Sequence, residues 1–314
     1  MRGLRGQMGR LKAIRADIRA TREHTERLTE MSAQLAASQA EISLIRGTLE
    51  EFNRRNAAEH QRVMQVLRII RDDDASARER LWSLRASDDY ALAWDEDEPL
   101  VTIIITTYNN WPLMRERSLP SVLAQTYERF ECIVIGDAAP PEAAAAVASF
   151  GDTRLRYVNL PYRGPYPDQR SDAWLVSGTT PFNTALALAA GRWTGAVSDD
   201  DSLSPRYIES LLRHARAQRA EVAYGLIHQC EPDSEGKLLG TFPPEVAQWG
   251  IQGSLLHGGL RYLPLQPTDW LFGVPNDWSL AERMLRIGVR FAMLEEVVVD
   301  YYPGTLWKTR PAED

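Results

Sequence analysis

At 314 residues, 44% of them apolar, the chain is long enough for one sizeable α/β domain plus an appendage. Its two cysteines, Cys132 and Cys230, lie far apart without metal-ligand spacing, so no disulfide framework is expected, Cys132 reads as a core residue, and a reducing compartment fits. The net charge of −7 is uneven, with 17 Lys and Arg against 14 Asp and Glu in residues 1–90 and 19 against 29 beyond; an acidic second part argues against general nucleic-acid binding.

The first 22 residues hold seven basic side chains (Arg2, Arg5, Arg10, Lys12, Arg15, Arg19, Arg22) against Asp17. Leu4, Met8, Leu11, Ile14 and Ile18 are spaced by three or four among them. That is a weak signature of an interfacial helix touching anionic lipid, and the plainer reading is a solvated helix start. No apolar run is long enough to span a membrane, and the basic start lacks the apolar stretch of a signal peptide. A cytoplasmic protein is expected, with peripheral membrane contact as its one possible anchor.

From about residue 10 to 84 there is no proline, and Gly47 is the only glycine between Gly9 and Trp82. Good helix formers dominate. Leu28, Leu35, Ile42, Leu49, Asn56, Val63 and Ile70 recur every seven residues, and Met31, Ser38, Ile45, Phe52, Glu59 and Val66 follow the first six by three. These are the a and d positions of a coiled coil, with Asn56 and Glu59 as its polar interruptions. At about 1.5 Å per residue the seam is roughly 60 Å long. The expectation is a helical coiled-coil segment over 1–86 that makes the protein a homo-oligomer, then an acidic linker over 87–99 closed by Pro99.

After Pro99 the texture changes. Strands are predicted at Val101–Thr107, Phe130–Asp137, Arg154–Leu160, Trp193–Val197 and Glu221–Leu226, alternating with helices near 113–125, 140–149, 181–190 and 204–218. The alternation predicts an α/β domain over 100–314: a mostly parallel sheet with helices on both faces, whose ligands lie at the carboxyl ends of the strands. Three strand ends carry chemistry there: Thr106-Thr-Tyr-Asn109, Gly136-Asp137 and Ser198-Asp199-Asp200-Asp201. Converging carboxylates suit Mg²⁺ or Mn²⁺ shared with substrate phosphates. The same tripeptide at Asp72–Asp74 sits in a polar helical stretch and reads as a solvated face.

These residues resemble the family 2 glycosyltransferases of the GT-A fold. The opening strand of that family is matched by Val101-Thr-Ile-Ile-Ile-Thr-Thr-Tyr-Asn109, its second strand by Glu131-Cys-Ile-Val-Ile-Gly-Asp-Ala-Ala139, and its D-x-D element by Asp199–Asp201. Its R-N-x-G helix is matched in part by Asn183, Ala189 and Gly191. Its later E-D-W segment is similar to Gly273-Val-Pro-Asn-Asp-Trp278 followed by Arg283, Gly288 and Phe291. The resemblance implies a nucleotide-sugar donor, UDP- or dTDP-linked, and a saccharide or other hydroxyl acceptor, in surface polysaccharide or glycoconjugate synthesis. It implies that Thr106, Tyr108 and Asp137 line the base pocket, with Asp137 accepting from a pyrimidine N–H. Asn183, Asp199 and Asp200 would contact the donor, Asp201 with Asp199 would hold the metal, and Asp277 would be the general base of an inverting transfer.

The chain departs from the family at Gly136, where an Asp is frequent, at Phe182, where an Arg precedes the Asn, and at Ala185, which replaces a Gly. Arg163 or Arg170 could supply the missing cation, and the loop of residues 161–180 could be a lid. His257 reads as structural rather than catalytic. Trp270, Trp278, Tyr301, Tyr302 and Trp307 read mostly as core, with sugar stacking as the alternative. Two other classes compete: a coiled-coil scaffold with a nucleotide-sugar-binding but inactive domain, and a nucleotidyltransferase, whose Gly-rich loop is missing after β-like Val101–Thr107.

Overall fold

The computed structural model describes residues 2–71, 73–231 and 234–303, and side chains from Asp17 onward apart from Ile18 and Arg71. The chain divides into two compact units, Met1–Ile69 and Ile70–Asp314. The described residues of the first unit belong to helix α1 (Arg2–Arg71), one uninterrupted helix as the absence of proline permits. Leu28, Met31, Leu35, Ile42, Ile45, Leu49, Phe52, Val63 and Val66 lie along it 51–66% exposed, so the predicted a and d residues form an open apolar stripe. Arg19 and Arg22 pair with Glu23 and Glu26 one turn on. The other members of the basic, apolar-studded start fall outside the described side chains.

The second unit opens with α2 (Asp74–Arg85) and α3 (Asp88–Asp95). Asp73 caps α2 by accepting the Ser76 N–H, so part of the Asp72–Asp74 run is a helix boundary; Asp72 itself is not among the described residues. The expected linker over 87–99 is corrected here, because most of it is α3, with Tyr90, Ala93 and Trp94 buried. The acidic composition conceals an i, i+3, i+4 apolar face. The Glu221 carboxylate, fully buried, locks both helices down: it accepts from Arg85 Nε and Nη2 at 2.7 and 2.8 Å, Tyr90 Oη at 2.5 Å and the Arg290 amide at 2.7 Å.

Strand β1 (Val101–Thr107) is followed by α4 (Trp111–Leu113), a π-helical turn (Met114–Ser118) and α5 (Leu119–Leu123), which run on as one bent helix. Then come β2 (Phe130–Gly136), α6 (Pro141–Ala148), β3 (Leu155–Asn159), α7 (Arg170–Val176), α8 (Thr179–Leu188) and β4 (Trp193–Ser198). After β5 (Ser202–Leu203) and α9 (Tyr207–Gln218) follow β6 (Val222–Gln229), β7 (Lys237–Leu239), β8 (Ser254–His257), α10 (Asn276–Ile287) and β9 (Phe291–Tyr301). All the strands belong to one sheet, in the order β3-β2-β1-β4-β8-β6-β9-β5, with β7 on β6.

The half β3-β2-β1-β4 is parallel throughout, whereas β8 enters antiparallel between β4 and β6, and β9 runs parallel to β6. Buried on both faces, β1 and β2 are built around the runs Ile103–Ile105 and Ile133–Ile135. Ile103 and Ile105 pack with Leu119 of α5 and Tyr207 and Leu211 of α9. Ile104 points the other way, toward Leu81 of α2, Phe182 and Ala185 of α8, and Leu280 and Met284 of α10. Helices therefore cover both faces. Phe182 and Ala185, the departures noted above, are core residues.

Candidate active site

Register brings the three chemical strand ends together. Thr106 is paired with Ile135 on one side and Ser198 on the other. Neighbouring strands lie about 4.8 Å apart, so Asp137 and Asp199 emerge roughly 10 Å from each other on either side of β1.

Asp137 is 4% exposed, and its carboxylate is already engaged. Oδ1 accepts the Gly164 amide at 3.0 Å, Oδ2 accepts the Tyr166 hydroxyl at 2.5 Å, and Arg163 Nε stands 3.9 Å from Oδ2. The Arg163 guanidinium also lies over the Tyr108 ring, 3.9 Å from its centroid. The loop that precedes α7 thus closes over the side chains expected to hold a nucleotide base. Gly164 permits that closure, since a Cβ there would meet Thr180 Oγ1 at 2.7 Å. Gly178, at φ +75°, brings the chain against Thr106. Gly136 also has a packing reason, because a Cβ would fall 2.3 Å from Asn159 Oδ1 and 2.4 Å from Tyr157 Oη. Those two β3 side chains fill the space of the family's frequent Asp.

The three carboxylates after β4 differ in setting. Asp199 Oδ1 accepts from Asn110 Nδ2 at 3.2 Å, and its carbonyl accepts the Ser118 hydroxyl at 3.1 Å. Asp200 gives its carbonyl to Arg117, whose guanidinium stacks 3.7 Å from the centroid of Tyr302. Asp201 is fully buried; Oδ1 accepts the Tyr302 amide at 2.9 Å, and Oδ2 has no partner among the described residues. Burial, then the Asp200 charge, pushes Asp199 up to about 7 and Asp201 up to about 8.

An orphaned buried oxygen within a crowd of carboxylates fits a divalent cation, whose charge would offset the mutual repulsion. Asp199 and Asp200 are partly exposed, whereas Asp201 is buried beneath the surface.

Asp277 is the second residue of α10, where the helix N-terminus favours an anion. Its Oδ1 accepts the Trp278 amide at 2.7 Å, and burial raises its pKa. Burial raises the Tyr301 hydroxyl, and the charges of Asp201, Asp200 and Asp277 push in the same direction.

Both polar atoms of Asn183 are engaged within the fold. Its Nδ2 donates to the Leu265 carbonyl and its Oδ1 accepts the Leu265 amide, both at 2.9 Å, tying α8 to the segment before α10. His257 is structural, buried between Tyr90 and Trp94 and bonded to Tyr90 O and the Gly259 amide. Trp307 lies outside the described residues. Two site residues escaped sequence reasoning, Tyr166 and Arg117. A π-helical turn often marks a functional position, but Arg117's turn has no sequence signature.

Residues 102–170 match the model of the Glycosyl transferase family 2. Over those residues the chain is similar to the family 2 glycosyltransferases, and its fold is of the GT-A type. The chain is 29% identical over 126 residues to the succinoglycan biosynthesis protein ExoO of Rhizobium meliloti, covering 40% of this chain and 32% of that one. It is 28% identical over 121 residues to the putative colanic acid biosynthesis glycosyl transferase WcaA of Escherichia coli, covering 38% and 39%. An uncharacterized glycosyltransferase of Rickettsia bellii is 46% identical over 182 residues, 54% of this chain and 24% of that one. The chain thus matches well under half the length of these relatives. Among solved structures, the transferase domain resembles Staphylococcus aureus TarS 1–349 in complex with UDP-GlcNAc, with a TM-score of 0.53 at 15% identity over 67% of this chain and 61% of that one. Among the described residues no helix is long and apolar enough to cross a membrane.

Proposed function

We propose that the protein is an inverting glycosyltransferase of polysaccharide synthesis that moves a sugar from a UDP- or dTDP-sugar to a hydroxyl of a saccharide acceptor. The observation that carries this reading is the convergence of Asp137 and the Asp199–Asp201 run at the carboxyl ends of β2 and β4, on either side of β1. The names of ExoO and WcaA, which speak of succinoglycan and colanic acid biosynthesis, support the polysaccharide context.

In this reading Asp137 accepts an N–H of the pyrimidine, between Thr106 and Tyr108, once the Tyr166 hydroxyl has withdrawn. Asp199 and Asp200 would hold Mg²⁺ or Mn²⁺ with Asp201 Oδ2 beneath them; when bound, the ion supplies Lewis-acid stabilisation of the departing diphosphate. Arg117 fixes the Asp200 backbone from behind. Asp277 takes the proton of the attacking hydroxyl, and its burial-raised pKa brings it closer to the working range of a base.

The open stripe on α1 supports a further part of the proposal, that the chain self-associates through it as a parallel coiled coil. In that arrangement Glu41 at g faces Arg46 at e of the second copy. The test of the catalytic reading is release of nucleoside diphosphate from UDP-, dTDP- and GDP-sugars with and without Mn²⁺ or Mg²⁺. Turnover of one donor, lost in Asp277→Asn with donor binding kept, supports it. Donor binding without turnover under any acceptor, and indifference to both substitutions Asp200→Asn and Asp277→Asn, would give precedence to an inactive scaffold.

A further inference from the structure

A second group of metal-ligating side chains lies outside the catalytic carboxylates. His228 and Cys230 sit at the end of β6, and Asp300 sits opposite them on β9. His228 Nδ1 is 2.8 Å from Asp300 Oδ1, Cys230 Sγ is 3.6 Å from His228 Nδ1 and 3.9 Å from Asp300 Oδ1. All three ligand atoms fall within 4.8 Å of one another. A tetrahedral Zn²⁺ with bonds of about 2.0–2.3 Å spaces its ligands about 3.3–3.8 Å apart, so a shift of under ~1 Å at each contact would close the shell.

The orientation of the imidazole is a separate observation. His228 Nε2 lies 3.0 Å from the carbonyl oxygen of Glu235. Carbonyl and carboxylate oxygens both only accept, so without a metal the ring donates from Nε2 to Glu235 O and from Nδ1 to Asp300, and an ion would take the place of the Nδ1 proton. A backbone carbonyl fixing the far nitrogen is the usual support behind a metal-bound histidine. The β6–β7 hairpin is shaped for this contact. Gly236 takes φ +68°, and a Cβ there would lie 2.3 Å from Gln229 O and 2.8 Å from His228 Nε2. His228 and Asp300 are 32% and 43% exposed, which leaves an open path for an ion and a fourth position for water.

We propose that His228 Nδ1, Cys230 Sγ and Asp300 Oδ1 form a Zn²⁺ site distinct from the Asp199–Asp201 site. The ligand set selects the metal: thiolate and imidazole favour Zn²⁺ over the Mg²⁺ or Mn²⁺ suited to an all-carboxylate site. Binding releases the thiol proton and any proton on Nδ1, leaving a neutral imidazole, a thiolate and a carboxylate on the ion. The site clamps the end of β6 to the end of β9. The Cys230 amide donates to Tyr301 O at 2.8 Å, and the next residue, Tyr302, donates its amide to Asp201. The clamp therefore holds the strand whose next residue bonds Asp201.

The test is titration of the metal-stripped full-length chain with Co²⁺ and Zn²⁺, followed by absorbance and calorimetry. One Co²⁺ per chain with a thiolate-to-cobalt charge-transfer band, displaced by Zn²⁺, is the expected result. Cys230→Ser should abolish the band, and His228→Gln should weaken Zn²⁺ binding by about 100-fold or more. Asp200→Asn should leave both unchanged. A wild-type protein with no such band, or a band surviving in Cys230→Ser, overturns the proposal. So does a band that disappears in Asp200→Asn, since the ion would then belong to the catalytic carboxylates. Unfolding midpoints of the variants without metal separate loss of ligand from loss of fold.

Discussion

Removing one oxygen atom from the loop should make the transferase bind its donor more tightly. The Tyr166 hydroxyl occupies Asp137 Oδ2 at 2.5 Å. A pyrimidine N–H can use that oxygen only after the hydroxyl leaves. A hydrogen bond to a charged partner contributes about 1.5–3 kcal/mol net. Asp137 keeps the Gly164 amide at 3.0 Å and Arg163 at 3.9 Å when Tyr166 goes, and water enters the gap, so the lower end applies. About 1.4 kcal/mol corresponds to a factor of ten. Tyr166→Phe should therefore lower the Kd for UDP or dTDP about tenfold, with no loss of maximal rate from the catalytic carboxylates. Calorimetric titration of the wild type and the variant with both nucleotides measures this. Equal affinities, or weaker binding by the variant, would refute the reasoning, because the contact would then persist in the bound state or stabilise it.

Asp277→Asn should reduce kcat by about 10²–10⁴ with donor affinity kept, and the wild-type acid limb of kcat/KM should lie above the ordinary Asp range near ~3.9, activity appearing as pH rises through the raised pKa. Asp200→Asn should abolish Mn²⁺-dependent donor binding without loss of stability, while Asp201→Asn, fully buried on the Tyr302 amide, should also lower the unfolding midpoint. Glu221→Ala should cost about 3 kcal/mol, less than a wholly buried pair because Arg85 and Arg290 are 27% and 47% exposed, and urea unfolding of the wild type and variant checks it. Burial works to raise the Glu221 carboxyl, but the bonds from Arg85, the Arg290 amide and Tyr90 outweigh it and hold its pKa down. Its stabilisation is therefore complete above its unfolded pKa and is lost as pH falls through the lower folded value. Ile45→Lys on the α1 stripe should abolish self-association in sedimentation with helicity largely retained.

The strands β1, β2, β4 and β6 were legible because an apolar, β-branched-rich run buried on both faces has few other uses, whereas the two-residue β5 carries no pattern. Val101–Thr107 has the bounds that its sequence suggests, and β2, β3, β4 and β6 lie within a few residues of theirs. The candidate site residues Thr106, Asp137 and Asp199 were chosen where polar residues end such runs, and register sets those strand ends side by side. An amide such as Asn183 can serve a ligand or a backbone equally well, and its bonds to Leu265 are visible only in the fold. Helix α3 was missed because its charge masks a short apolar face, and β8 because four residues carry too little pattern.

What the sequence by itself determined is what local chemistry dictates: one long helix with an apolar stripe, alternating strands and helices, and carboxylates at strand ends. The tertiary structure alone decided which of those carboxylates face outward. Asp199, Asp200 and Asp201 are identical letters, yet only Asp201 meets the Tyr302 amide, a residue 101 positions away. It also decided that Tyr166 covers Asp137 and that Asp300 stands beside His228 and Cys230. Such contacts depend on where the sheet brings distant segments together, and no local spacing encodes that.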